Sequence, residues 1–70
     1  METRLKVEGM HCEGCVGRVR RVLEREEGVR EAEVSLEDGE ARVRPEGQGP
    51  DVDRLRSAVE GAGFSATLLG

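Results

Sequence analysis

The sequence predicts an α+β domain in which two helices cover one face of a four-stranded antiparallel sheet, in the order β-α-β-β-α-β. Three observations carry this. The spacing of apolar residues changes from every second position to helical spacing and back, twice along the chain. Glycine and proline cluster where the spacing changes. Asp38-Gly39, flanked by alternating apolar residues, marks a tight turn between two antiparallel strands.

Each element can be justified in turn. Leu5 and Val7 alternate with Lys6 and Glu8, the pattern of a half-buried strand, and Gly9 ends it. Beyond a short loop, Val16, Val19, Val22 and Leu23 share one helical face, while Arg18, Arg20, Arg21, Glu24 and Arg25 lie mostly on the other. Gly28 is the expected stop of that helix. From Val29 to Pro45 alternation returns. A two-residue turn at Asp38-Gly39 sets Glu37 opposite Glu40, Leu36 opposite Ala41 and Val34 opposite Val43, so that the apolar pairs share one face. "PEGQGP" reads as a loop, and Asp51 caps a second helix bearing Val52, Leu55, Val59 and Ala62. Gly61 and Gly63 end it. Phe64, Ala66 and Leu68 then alternate with Ser65 and Thr67 as the last strand, which completes the ferredoxin-like arrangement. Its topology places the loop after the first strand, the Asp38-Gly39 turn and "GAGF" at one end, the top, and Gly28 and "PEGQGP" at the other.

Seventy residues make one domain, 1–70, whose core must be thin and built from Val, Leu and Ala, since Phe64 is the only aromatic residue. With 15 acidic against 11 basic residues the net charge is −4, which argues against nucleic acid as a partner. No apolar run is long enough to span a bilayer, and "METRLKVEGM" lacks the apolar core of a secretory signal. The expectation is a soluble, cytoplasmic protein, and the methionine at position 1 favours a free one.

Both cysteines of the chain fall in "GMHCEGC", three positions apart at a strand-to-helix turn. A disulfide, a redox dithiol and a metal site all use such a pair. A Cys12–Cys15 bridge closes too small a loop to restrain the unfolded chain much, and C-x-x-C in a cytosolic protein points to metal or redox chemistry. A thiol-disulfide oxidoreductase of thioredoxin type needs a longer chain and a proline loop facing the dithiol, and neither Pro45 nor Pro50 falls at the top. Two thiolates, one in the loop and one at a helix start, converge on one ion and leave its other positions open. Soft sulfur donors favour Cu(I); Ag(I) and Hg(II) are expected substitutes, and Zn(II) needs further ligands. The helix N-terminus favours the thiolate of Cys15. His11, an exposed loop residue, is a candidate minor ligand, and if it ligates, zinc gains.

"GMHCEGC" on a strand-to-helix turn, with "VDRLRSAVEGAGF" closing the chain, resembles the heavy-metal-associated domains of copper chaperones and of the cytosolic parts of metal-transporting P-type ATPases. The resemblance covers nearly the whole chain. It implies a Cu(I) metallochaperone and no enzyme, in which Cys12 and Cys15 pass the ion by thiolate exchange to a metal-transporting ATPase or another C-x-x-C domain. It also implies that Met10 supports the site from the core beneath the loop, and that Phe64 shields it where related proteins carry Tyr or Lys. His11 stands where the family usually has Ser or Thr. Arg18 and Arg21, basic and near the site, are the expected docking residues for an acidic partner. The expected state is a monomer, with a metal-bridged dimer under metal excess.

Overall fold

A computed structural model of the chain describes residues 2–70. The elements are β1 (Thr3–Glu8), α1 (Glu13–Glu24), β2 (Val29–Ser35), β3 (Glu40–Pro45), α2 (Val52–Gly61) and β4 (Ser65–Leu68). They form one antiparallel sheet of order β2-β3-β1-β4. Both helices lie on one face, so the fold is the expected ferredoxin-like one. No helix among the described residues is long and apolar enough to cross a membrane.

Alternation builds the core. Leu5 and Val7 of β1, Val29 and Ala32 of β2, Ala41 and Val43 of β3, and Ala66 of β4 point to the helices. They meet Val19 and Leu23 of α1 and Leu55 and Val59 of α2. Val16 and Val22 flank that stripe half-buried. The opposite face of the sheet is charged and paired: Arg44 of β3 reaches Glu31 and, at 3.4 Å, Glu33 of β2, and Arg4 reaches Glu40 at 3.7 Å.

Four details differ from the sequence expectation. The hairpin pairs Ser35 with Glu40, Val34 with Ala41 and Ala32 with Val43, two residues away from the expected register. Ser35 is the cause: its Oγ accepts the Asp38 N–H at 3.2 Å and its carbonyl accepts the Gly39 N–H at 3.0 Å, closing a four-residue turn over Leu36–Gly39. Gly39 supplies the positive φ of +66° that this turn requires. Leu36 thereby leaves the core and stands 36% exposed, and Glu37 no longer faces Glu40. Helix α1 ends at Glu24, ahead of Gly28, with the Glu26 N–H turning back to the Leu23 carbonyl at 3.1 Å. Phe64 precedes β4, its N–H bonded to the Val59 carbonyl at 3.2 Å. Leu68, on an edge strand that has a neighbour on one side only, is 48% exposed.

Candidate metal site

Cys12 occupies the N-cap position of α1, with extended backbone (φ −158°, ψ 171°), and its carbonyl accepts the N–H groups of Cys15 at 3.0 Å and Val16 at 3.2 Å. Its side chain caps nothing. Ser, Thr or Asp in that position would satisfy an orphan N–H and typically add about 1 kcal/mol. The chain forgoes this and leaves a sulfur exposed instead.

Both cysteines are free, and the Cys12 thiol donates to the Cys15 sulfur at 3.7 Å. The Cys15 thiol is held below its ordinary pKa. A backbone hydrogen bond at His11 contributes most, followed by the bond from the Cys12 thiol, with smaller help from the Cys12 backbone and the Arg18 charge; partial burial opposes them. Metal–sulfur bonds near 2.3 Å set two sulfurs about 3.8 Å apart at a tetrahedral angle and about 4.6 Å apart on a straight line. The observed 3.7 Å is close to the former and about 1 Å short of the latter.

An open hollow of about 310 Å³ surrounds the pair, lined by Cys12, Gly14, Cys15, Arg18 and Phe64. Phe64 packs against the core as well as lining this hollow, and it lies so close to the end of β1 that a side chain at Gly9 would meet its ring at 3.4 Å. Met10 is partly buried and packed against the core beneath the loop. His11 is exposed. Among the described residues no group of three His, Cys, Asp or Glu side chains converges, so the donors brought together are the two sulfurs. Arg18 sits in the hollow, whereas Arg21 lies further along α1 beside Gly17, Arg20, Glu24 and Arg25. Gly14 was not singled out by sequence reasoning. Its signal was position: it stands between the two cysteines, where an added Cβ would touch the Cys12 sulfur at 3.6 Å.

The heavy-metal-associated domain family matches residues 4–65. The chain belongs to this family. Among curated relatives of this heavy-metal-associated domain, a mercuric reductase of Acidithiobacillus ferrooxidans is 48% identical over 62 residues, covering 89% of this chain and 11% of the reductase. The copper chaperone CopZ of Staphylococcus aureus is 37% identical over 60 residues, covering 86% of this chain and 88% of CopZ. The chain thus spans a small part of the mercuric reductases and nearly all of the chaperone. Among solved structures, a CopZ metallochaperone superposes with a TM-score of 0.88 at 31% identity, covering 96% of this chain and 100% of that one. Oxidized MerP from Ralstonia metallidurans superposes with a TM-score of 0.90 at 27% identity, covering 100% and 97%. This is a small metal-binding domain of the kind found in metal transport.

Proposed function

We propose that Cys12 and Cys15 hold a soft metal ion, Cu(I) before others, and that the domain, 1–70, acts as a cytoplasmic metallochaperone. The observation that carries this reading is the sulfur pair: two thiols 3.7 Å apart at the rim, with no third donor group beside them among the described residues. Two soft donors suffice for a monovalent ion of low coordination number, whereas Zn(II) seeks four ligands. Similarity to the CopZ chaperone over most of both chains supports the same choice.

Transfer follows from exposure. The partner's thiolate adds to the ion on its open side, and Cys12, the more exposed sulfur, is the first to leave. Cys15, whose thiolate is favoured, holds the ion until a second partner thiolate displaces it. A C-x-x-C domain of a metal-transporting P-type ATPase fits as receiver, and relatives include domains of such ATPases. Arg18 and Arg21, both exposed, face a partner that meets this rim. Met10 and Phe64 support the loop from below and from the side, and His11, exposed and outside the sulfur pair, would have to swing in to serve Zn(II) as a third donor. No part of this scheme needs an enzyme's acid or base.

Hg(II) carriage is the second reading, and the 48% identity to a mercuric reductase favours it. The deciding experiment measures affinity for Cu(I), Hg(II) and Zn(II) by competition with chelators under reducing conditions, with X-ray absorption on each complex. One Cu(I) per chain with two sulfur neighbours, and passage to an ATPase domain faster than release to a chelator, are expected. A site that retains Hg(II) but yields Cu(I) to weak chelators moves the assignment to mercury, and nitrogen-rich coordination removes the two-thiolate reading.

A further inference from the structure

Arg18 and Arg21 stand one turn apart on α1, and only the first reaches the thiols. Arg18 lies one turn beyond Cys15 and lines the hollow that holds both thiols, whereas Arg21 lines a different one. Among the described residues Arg18 has no salt-bridge partner, in contrast to Arg20, which pairs with Glu24 at 3.3 Å. A guanidinium keeps its charge at every relevant pH, so this is a fixed positive field at the rim.

We propose that Arg18 selects the charge of the cargo: its guanidinium, in the wall of the dithiol hollow, favours a monovalent over a divalent ion between Cys12 and Cys15. The inference rests on the two-thiolate reading above. A monovalent ion on two thiolates leaves a net charge of −1, and a divalent ion leaves zero. A neighbouring cation stabilises the first complex and is indifferent to the second. The ratio of the two affinities therefore changes by the energy of one unit charge with Arg18, whatever the number of protons on the empty dithiol. For exposed charges about four to six ångströms apart, screened as in water, this amounts to about three- to fivefold.

The test uses Ag(I) and Hg(II), which both bind two thiolates on a nearly straight line, so that charge differs and geometry does not. Wild type, Arg18→Gln, Arg18→Lys and Arg25→Gln are each offered both ions in competition, and the silver-to-mercury ratio on the protein is read by native mass spectrometry. Arg18→Gln is expected to lower that ratio about threefold and Arg18→Lys to keep it. Arg25→Gln, a charge loss at the C-cap of α1 and outside the hollow, is expected to leave it near wild type. Added non-coordinating salt shrinks the Arg18→Gln effect. An unchanged ratio in Arg18→Gln overturns the proposal, as does an equal fall in Arg18→Lys, which would make the effect one of shape, or in Arg25→Gln, which would make it one of overall charge. If the double variant Cys12→Ser, Cys15→Ser loads both ions like wild type, the two-thiolate reading fails, and the role of Arg18 fails with it.

Discussion

The two ends of this domain are built alike and do different things. At the bottom, the turn at Gly28 and the loop at Gly49-Pro50 pack against one another, and the Gly28 carbonyl accepts the Glu46 N–H at 2.8 Å. The hollow there is the larger of the two, about 610 Å³, and its walls include Glu27, Glu46, Asp51 and Arg54. At the top, the hollow is about half that size and holds two sulfurs. Size therefore does not mark the site; donor chemistry does. The bottom offers hard oxygen donors beside an arginine, while the top offers a soft, adjustable pair whose thiolate form the loop backbone favours. The ends also spend their helix caps differently. Asp51 accepts the Asp53 N–H at 2.9 Å and stabilises α2, whereas Cys12 in the same role at α1 caps nothing.

The largest effects should follow from exchanging these roles. Cys12→Ser and Cys15→Ser should each weaken metal binding by more than about a hundredfold, since loss of an outer partner of a ligand alone costs 10–100-fold. Cys12→Ser should at the same time raise stability. A serine there can bond an N–H of the first helical turn, worth about 1 kcal/mol, or roughly 4–8 °C in Tm for a domain this small. Calorimetry of the metal-free variant checks this, and an unchanged or lower Tm would mean that the loop conformation depends on sulfur. Gly28→Ala is the converse. A Cβ there would run into the Gly49 carbonyl, and the backbone holds a φ of +86°, so a loss of about 3 kcal/mol is expected in urea unfolding. The folded fraction should bind metal as wild type does. Loss of binding while folded would show that the ends are coupled.

What the sequence made legible follows the same division. Both candidate ligands lie within one turn of chain, so spacing alone brings them together, and Phe64 follows from the topology that returns its loop to the top. Arg18 was legible as a basic residue near the site, and its i, i+3 relation to Cys15 was the available sign that it shares the hollow. The hairpin register was less legible. A shift of two residues leaves every side chain on its own face, so Val34, Ala41 and Val43 satisfy both registers, and only Ser35 bonding to Asp38 decides between them. Leu68 was misplaced because alternation states which face a residue takes and not whether a helix covers it there.

A smaller effect belongs to the bottom cap. Asp51→Ala removes the acceptor of the Asp53 N–H and should cost about 1 kcal/mol, with metal affinity unchanged. Asp51→Ser should recover most of that loss. If Asp51→Ala instead weakens metal binding, α2 transmits its stability to the Phe64 wall of the hollow.

The smallest expected effect lies between the ends, on the charged face of the sheet. Arg44 gathers Glu31, Glu33 at 3.4 Å and Glu2 at 3.5 Å. Its hydrogen bond to Glu31, and then its charge, hold the Glu31 carboxyl below the usual carboxylate range. Because the folded value lies below the unfolded one, near 4.3 for a free Glu, the pair contributes its full stability above that pH. The contribution is lost as pH falls through the folded value. Wild type should therefore exceed Glu31→Gln in urea midpoint at pH 7, and the gap should close as pH drops below about 4. Both partners are exposed, so the gap is small and should narrow further in high salt. Metal binding at the proposed site, at the other end of the sheet, should not register the substitution. A gap that stays constant with pH would assign the contribution of Glu31 to packing on the sheet and not to its charge.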